Sequence, residues 1–208
     1  MLAGRCTWRD FKPHQLILGH QEDSRTVLFL TAGKAYATIF SENGKQVTFI
    51  DINAGGMFGE WSAIDGKPRS ASVEAVTRCT TAVMSQELFW EVLRTEPTVV
   101  AAVLKRLVRR LREMSDKEVE SATLPVAKRI AAELLRLAEP VKTEVGNAVL
   151  FPAPTNTDIA ARVATTRETV NRVLREMMEA GTIEKHGRTL VIPVVEKLRR
   201  LVVEPTEA

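Results

Sequence analysis

The 208-residue chain has little cysteine, histidine or aromatic side chain, and these shortages exclude several classes of protein. Two cysteines, Cys6 and Cys79, and three histidines provide neither a disulfide framework nor the ligand spacing of a metal site. No apolar run approaches the roughly 18 residues that a membrane span needs, because charges interrupt each candidate. The first ten residues lack the apolar segment of a secretory signal. We therefore expect a cytoplasmic protein that binds no metal and no membrane.

The composition is that of a folded protein with one or two cores, since 45% of the residues are hydrophobic and 26% are charged. Twenty-nine basic residues against 26 acidic ones leave a formal net charge of +3, which permits nucleic-acid binding without requiring it. No serine, cysteine or carboxylate lies at catalytic spacing with a partner, and the histidines are isolated. A hydrolase or transferase is therefore not expected.

The first part of the chain has the pattern of an antiparallel β-roll or barrel. Short β-type runs are separated by close turns, with a hairpin signal of the Asn-Gly type at 41–45 and a bend at 54–56. After residue 86 the pattern becomes helical, which predicts an α+β protein with its strands first. We expect domains at 1–95 and 123–208, joined by a long helix at 96–122. The predicted strands are 26–30, 35–40, 46–50, 72–76 and 80–84.

A short helix at 86–94 precedes the long helix, which Pro97 opens. The long helix carries an apolar heptad seam made of Val100, Leu104, Leu107, Leu111 and Met114. The seam favours a dimer interface, and the alternative is an amphipathic helix that packs on its own β-domain. Pro125 interrupts the helical pattern soon afterwards and marks a hinge.

The last part of the chain predicts a winged helix-turn-helix. A helix at 125–139, stopped by Pro140, is followed by helices at 157–163 and 167–180 with a turn at Ala164. A hairpin at 183–192 is a candidate wing. Thr166 is the expected N-cap of the second of these two helices.

The segment 58–71 concentrates groups that bind an anion carrying sugar hydroxyls. Gly59 lets backbone amides approach closely at the start of a short helical turn, where N–H groups favour an anion. Arg69 offers a planar fork for phosphate oxygens, Ser70 a hydroxyl, and Glu60 an acceptor for a ribose 2′-OH. The simpler alternative is a surface ion pair between Glu60 and Arg69.

The letters F-G-E at 58–60 and P-R-S-A at 68–71 resemble the phosphate-binding cassette of cyclic-nucleotide-binding domains. The resemblance implies that Glu60 binds the ribose 2′-OH and that Arg69 binds the cyclic phosphate. The backbone of Gly59, the Ser70 hydroxyl and the adjoining Ala71 complete this part of the implied site. We expect the change Arg69→Ala to abolish the ligand response and to leave the fold intact.

The N-terminal end of the helix at 167–180 presents the side chains of a DNA-reading surface. Arg167, Glu168 and Arg172 share this end with Thr166 and Thr169. In a helix-turn-helix this end enters the major groove, where an arginine binds guanine and a glutamate accepts from cytosine. The simpler alternative is a solvated, charged helix face.

The letters R-E-T-V-N-R at 167–172 resemble the recognition helix of the catabolite activator (cyclic AMP receptor) proteins, within the CRP/FNR superfamily of transcription regulators. With the cassette, the resemblance covers nearly the whole chain. It implies a homodimer that binds double-stranded DNA and RNA polymerase, with Arg167, Glu168 and Arg172 reading a TGTGA-type half-site. The segment 185–189 matches the family's wing, which implies that His186 and Arg188 contact phosphates.

The resemblance also places ligand contacts on the long helix, at Arg110, Met114 and Ser115. Met114 and Ser115 stand where the family usually has a Thr-Ser pair that binds the adenine. Because Met114 is a poor hydrogen-bonding group, cyclic GMP remains open as a ligand beside cyclic AMP. The iron-sulfur branch of the superfamily is excluded, because its cysteine cluster is missing. The alternative function is a regulator with a repurposed pocket that acts without ligand or responds to another metabolite.

Overall fold

The computed structural model describes residues 2–40 and 46–203, and the predicted hairpin turn at 41–45 lies outside the described residues. The chain forms two compact units, Met1–Arg110 and Leu111–Ala208. No helix in the described part is long and apolar enough to cross a membrane. Within the same residues, no group of three or more histidine, cysteine, aspartate or glutamate side chains is arranged to hold a metal ion.

The first unit is a β-roll of two four-stranded antiparallel sheets, ordered β1-β8-β3-β6 and β2-β7-β4-β5. This confirms the predicted β-roll. The strands are β1 Thr7–Phe11, β2 Leu16–Leu18, β3 Val27–Ala32, β4 Lys34–Phe40, β5 Gln46–Asn53, β6 Met57–Phe58, β7 Ser72–Ala75 and β8 Cys79–Met84. A 3-10 turn at Leu2–Arg5 precedes the strands, and the helices are α1 Glu60–Asp65, α2 Gln86–Thr95 and α3 Pro97–Thr123, which continues past Arg110 into the second unit.

Three of these strands were missed by the sequence pattern, and each has a reason. In β1 only Phe11 is buried, because the strand lies at the edge of its sheet with four exposed residues. Strands β2 and β6 have three and two residues, which is too short to show a periodicity of two. Long-range pairing with β7 and β3, not local pattern, defines them.

Helix α3 divides its apolar residues between two faces. Val103 is buried in the first unit, and Val99 and Leu107 pack beside it against the cluster that contains Phe89. Leu107 therefore packs on its own domain, as expected of an amphipathic helix on the β-domain, while its place in the dimer seam stays a prediction. Val100 is half-buried, and the exposed large apolar residues of the helix are Leu104, Val108, Leu111, Met114 and Val119.

The second unit is a helical domain with a small three-stranded sheet, ordered β10-β11-β9. Its elements are α4 Val126–Ala138, β9 Ala148–Leu150, α5 Asn156–Arg162, α6 Arg167–Glu179, β10 Glu184–His186, β11 Thr189–Ile192 and α7 Val195–Val203. The predicted helices and wing are present. Pro140 does not end the chain's helical path at once, because it lies inside a short 3-10 helix at Glu139–Val141.

One core holds the second unit together. Ile130 and Leu134 of α4, Ile159 of α5 and Val170 of α6 are fully buried in the same cluster. Leu198 of α7, a helix that the sequence pattern did not predict, closes this cluster. The core therefore fixes α5 and α6 against α4, which positions the two helices of the predicted reader.

Candidate functional site

The start of α1 depends on a glycine at residue 59. Gly59 has a φ of 82°, in the left-handed region that favours glycine. A Cβ there would lie 2.7 Å from Arg69 Nη1 and 2.9 Å from the Thr26 carbonyl oxygen. Both the conformation and the close packing therefore require glycine at this position, which leads directly into Glu60, the first residue of α1.

Arg69 is 2% exposed and donates to four protein acceptors. Its Nε donates to Ser24 Oγ at 2.8 Å, and its Nη1 donates to the Gly59 carbonyl at 2.7 Å. Its Nη2 donates to the Thr26 carbonyl at 2.8 Å and to Thr26 Oγ1 at 3.0 Å. Burial lowers the pKa of Arg69, and the charges of Glu22 and Glu60 oppose that effect. The guanidinium thus joins the segment before β3 to the start of α1.

These bonds argue against the expectation that Arg69→Ala would leave the fold intact. The substitution leaves the partly buried carbonyls of Gly59 and Thr26 without this donor, which costs free energy of folding. Ser70, the next residue of the cassette, is exposed, and Ala71 is half-buried. The cassette therefore combines a structural arginine with an exposed Ser70 and an Ala71 that packs against the core of the β-roll.

Glu60 is 9% exposed and lies among arginines. Burial raises the pKa of its carboxyl, while the charges of Arg106, Arg110 and Arg69 act in the opposite direction. Because Glu60 and Arg69 are both buried, the alternative of a surface ion pair is excluded. The site presents a buried acceptor within a positive environment, which suits a ligand with hydroxyl and anionic groups.

Side chains from two later helices hold both ends of the segment around α1, and they were not predicted from the sequence. Gln86 Nε2 and Trp90 Nε1 of α2 donate to the Ala63 carbonyl at 2.9 and 3.0 Å. Arg106 Nη2 of α3 donates to the Met57 carbonyl at 2.5 Å. No local signal identifies these contacts, because each spans more than 20 residues of sequence.

The predicted ligand contacts on α3 fall on both sides of the division between the units. Arg110 is half-buried in the first unit, and its charge acts on Glu60. Met114 and Ser115 are exposed and belong to the second unit. Their roles, like those of the cassette residues, stay predictions.

The turn between α5 and α6 has the geometry of a helix-turn-helix. Ala164 has a φ of 51°, so a non-glycine residue takes the left-handed conformation at the predicted turn. Thr166 caps α6 as predicted, since its Oγ1 accepts from the Thr169 amide at 3.2 Å. Thr155 and Asp158 form a capping box at the start of α5. These caps fix where each helix begins.

The predicted DNA-reading side chains lie on the surface of α6. Arg167, Glu168 and Arg172 are exposed, whereas the Thr166 and Thr169 hydroxyls lie 3.0 Å apart within the cap. Arg172 Nη1 donates to Glu176 Oε1 at 2.7 Å, one turn further along the same helix. The structure therefore brings the predicted residues to one exposed helix end.

The wing between β10 and β11 is exposed. His186 Nε2 lies 3.1 Å from Glu184 Oε2, and Arg188 has an exposed side chain. The Arg188 carbonyl accepts from the Ala153 amide at 2.8 Å, which joins the wing to the loop before α5. Gly187, with a φ of 59°, lies in the turn between β10 and β11.

Comparisons with protein families match both halves of the chain. The cyclic nucleotide-binding domain matches residues 8–96, and the Crp-like helix-turn-helix domain matches residues 128–201. The chain is similar to the cAMP-activated global transcriptional regulator CRP of Salmonella typhimurium, with 31% identity over 182 residues, 86% of this chain and 87% of that protein. It is 27% identical over 192 residues to the CRP-like cAMP-activated global transcriptional regulator of Mycobacterium tuberculosis, covering 92% of this chain and 86% of that protein.

Solved structures share the same architecture. A CRP/FNR-family transcriptional regulator of Thermus thermophilus matches with a TM-score of 0.78 and 25% identity, over 95% of this chain and 99% of that chain. The c-di-GMP responsive global regulator CLP of Xanthomonas campestris has the same fold, with a TM-score of 0.80 and 20% identity over 92% of this chain and 95% of that chain. Sequence motifs, fold and relatives agree: the chain belongs to the CRP/FNR family of transcription regulators, with a cyclic-nucleotide-binding domain followed by a DNA-binding helix-turn-helix domain.

Proposed function

We propose that the protein is a cytoplasmic homodimer that binds a TGTGA-type palindrome when cyclic AMP is bound. One observation carries the proposal: the chain combines a buried Glu60 and Arg69 at the start of α1 with an exposed Arg167, Glu168 and Arg172 at the start of α6. The curated relatives that share both domains are named as cAMP-activated regulators. We infer three parts of the chain with separate tasks, at 1–95, 96–122 and 123–208.

In this proposal the cyclic phosphate binds Arg69 by replacing some of the hydrogen bonds that Arg69 makes within the protein. A guanidinium has five N–H donors, and Arg69 uses four of them on protein acceptors. A cyclic phosphate takes the fifth and replaces the hydroxyls of Ser24 and Thr26, which re-form bonds with water. The Glu60 carboxylate accepts from the ribose 2′-OH, and the backbone at Gly59 and Ala71 and the Ser70 hydroxyl complete the anion site.

The base lies towards α3 in this proposal, near Arg110, Met114 and Ser115. Ser115 donates to or accepts from the base edge, whereas the Met114 thioether is a weak acceptor. A site with one hydroxyl discriminates adenine from guanine less than a site with two does. We therefore expect cyclic GMP to compete with cyclic AMP.

The dimer forms along the exposed apolar face of α3. Leu104, Val108 and Leu111 are each at least half exposed, and their spacing of four and three residues is that of a coiled-coil seam. A helix-turn-helix monomer reads one half-site, so two subunits are needed to read a palindrome whose half-sites lie about 34 Å apart. The ligand acts by favouring one of two arrangements of the helix-turn-helix domains around the hinge near Pro125.

The DNA contacts separate into two kinds. Arg167 and Arg172 bind guanine edges and Glu168 accepts from cytosine, which reads the sequence. His186 and Arg188 of the wing bind phosphates, which positions the domain without reading bases. Thr166 and Thr169 place the helix end through the cap they share and donate to the nearest phosphate. RNA polymerase is the expected protein partner at the promoter.

The test is a fluorescence anisotropy titration of a labelled TGTGA/TCACA palindrome at one stated salt concentration, because affinity for DNA depends steeply on salt. The protein is titrated alone, with cyclic AMP and with cyclic GMP, and a duplex with scrambled half-sites is the control. We expect tight binding to the palindrome only with cyclic nucleotide. Equal binding to the scrambled duplex would contradict the sequence reading, and binding unaffected by either nucleotide would contradict the ligand response.

A second candidate function is a regulator that acts without cyclic nucleotide. The observation that favours it is the set of four protein acceptors already bound to Arg69, which holds α1 in place without a phosphate. Binding of the palindrome at the same affinity with and without nucleotide, together with no heat of cyclic AMP binding in calorimetry, would establish this candidate over the first.

A further inference from the structure

Helix α4 contains a buried carboxylate surrounded by three cations. Glu133 is 2% exposed, and its oxygens lie 3.4 Å from Lys117 Nζ, 3.0 Å from Arg136 Nε and 3.2 Å from Arg162 Nη1. Lys117 belongs to the last part of α3, and Arg162 is the last residue of α5. The Glu133 side chain, on α4, therefore contacts α3 and α5, the first helix of the helix-turn-helix.

A second ion pair strengthens the same junction. Arg136, three residues after Glu133, donates through Nη1 and Nη2 to both oxygens of Glu120 on α3, at 2.8 and 2.9 Å. Burial lowers the pKa of the Arg136 guanidinium, but the bonds and charges of Glu120 and Glu133 outweigh it and raise the pKa. The network consists of Glu120 and Lys117 on α3, Glu133 and Arg136 on α4, and Arg162 on α5.

Stability alone does not explain a buried carboxylate at this place. Desolvation of an ion pair offsets most of its attraction, and apolar residues of similar volume often stabilise a core as well or better. What charged groups add is geometry, since each must meet its partner at bonding distance or remain buried without compensation. Arg162 is two residues before Ala164, whose left-handed conformation turns the chain into the recognition helix.

We propose that Glu133 is a positioning residue for DNA recognition, because it holds Arg162 of the reader and Lys117 of the long helix in one fixed arrangement. The inference rests on the proposed function, in which α3 forms the dimer seam and two copies of α6 bind half-sites one DNA turn apart. Glu133 then sets the separation of the two recognition helices, and it does so without touching DNA or ligand.

The test measures how strictly the full-length dimer reads half-site spacing. Anisotropy titrations with cyclic AMP compare the TGTGA palindrome with versions whose spacer is one base pair longer or shorter, a shift of about 3.4 Å along the axis. We expect Glu133→Gln, which keeps the shape and removes the charge, to reduce the preference for the native spacer by roughly tenfold, within the range of couplings measured for contacting residues. Arg162→Gln should reduce the spacer preference by the same factor. The double variant, Glu133→Gln with Arg162→Gln, should reduce it no further than either single variant.

Glu144→Gln, a change of an exposed carboxylate in the loop before β9, is the matched control and should keep the spacer preference. Calorimetry with cyclic AMP and a thermal melt accompany each variant. A lower melting temperature with unchanged spacer preference would overturn the proposal, because it would make the network merely stabilising. If Glu133→Gln does not fold, Lys117→Gln, whose side chain is about one-third exposed, replaces it. Unchanged spacer preference in that variant and in Arg162→Gln would overturn the proposal in the same way.

The wild-type titrations separate this inference from the proposed function. A wild-type protein that does not respond to cyclic AMP, or binds all spacers equally, overturns the proposed dimer function and with it the positioning role. A wild-type protein that responds and discriminates, beside Glu133→Gln and Arg162→Gln variants that discriminate equally well, overturns the positioning role alone.

Discussion

The two functional regions of the molecule hold their charges in opposite ways. In the β-roll, Glu60 and Arg69 are buried, and Arg69 forms four hydrogen bonds that also hold the fold together. On α6, Arg167, Glu168 and Arg172 are exposed, and the ion pair of Arg172 with Glu176 lies on the surface. Polar groups in a buried site must form hydrogen bonds within the protein before any ligand binds. Exposed side chains on a DNA-binding surface can instead form hydrogen bonds with water.

This difference predicts that substitutions in the two regions separate into two kinds. Changes in the cassette alter folding and ligand binding together, because the same atoms serve both. Changes on α6 or the wing alter DNA binding with little effect on folding, because exposed side chains contribute little to stability. Measurements of stability and of binding on the same variants test the distinction.

The largest effect is expected for Arg69→Ala. The variant should lose its response to cyclic AMP, and its free energy of unfolding should fall by roughly 2–4 kcal/mol, because two partly buried carbonyls lose this donor. Urea unfolding and calorimetric titration measure the two effects. Arg78→Ala, which removes an exposed arginine of the same unit, is the control and should change neither. An Arg69→Ala protein with wild-type stability would contradict the proposed difference between the buried charges of the β-roll and the exposed charges of α6.

Arg172→Ala should change base preference and leave the fold almost untouched. Loss of a bidentate contact to guanine relaxes discrimination at one position of the half-site by about 1–3 kcal/mol. The exposed pair with Glu176 contributes only about 0.5 kcal/mol to stability, so the urea midpoint should move little. Binding to a set of duplexes with single substitutions measures the preference. Uniform loss across all of them would show that Arg172 contacts phosphate.

Arg188→Ala should weaken binding to every duplex by a similar factor. A phosphate contact carries no sequence information, so the slope of log affinity against log salt should fall by about one unit while base preference is kept. Titrations at three salt concentrations measure the slope for the wild type and for the variant. A change of preference at one base pair would instead place Arg188 in a groove.

The smallest effect is expected for Glu60→Gln and depends on pH. Burial raises the pKa of Glu60, so the folded state binds this proton more tightly than the unfolded chain does. The stability that the proton contributes is present below the ordinary pKa of 4.5 and is lost as pH rises through the raised folded-state pKa. Glu60→Gln should remove that dependence, and at pH 8 it should weaken cyclic AMP binding by about tenfold, because a charged acceptor is lost.

Calorimetry and urea unfolding between pH 5 and pH 8 compare this variant with the wild type. The difference in cyclic AMP affinity between the wild type and Glu60→Gln should narrow as pH falls, because the protonated wild-type carboxyl resembles the amide. Glu87→Gln is the control: a backbone hydrogen bond lowers the pKa of that exposed carboxyl from its ordinary 4.5, so Glu87 stays charged from pH 5 to pH 8 and its replacement should add no pH dependence in that range. A gap that stays constant with pH would mean that Glu60 keeps its charge throughout the range.

The sequence predicted the regular elements well wherever local chemistry specifies them. Pro97 opens α3, and the Thr166 cap starts α6, because each acts through its own backbone neighbours. The glycine at 59 and the turn at Ala164 also followed from local backbone requirements. The small strands β1, β2, β6 and β9 and the helix α7 were missed, since pairing or packing with distant residues creates them.

The amino-acid sequence was enough to specify the family, because two motifs in a fixed order, F-G-E with P-R-S-A and then R-E-T-V-N-R, identify both domains. Which charges are buried became clear only from the folded chain. It placed the Arg69 guanidinium on the Gly59 and Thr26 carbonyls, and it gathered three cations around Glu133. Residues far apart in the chain make these contacts, and a buried charge is tolerated only where such partners meet it, so no local pattern reveals them.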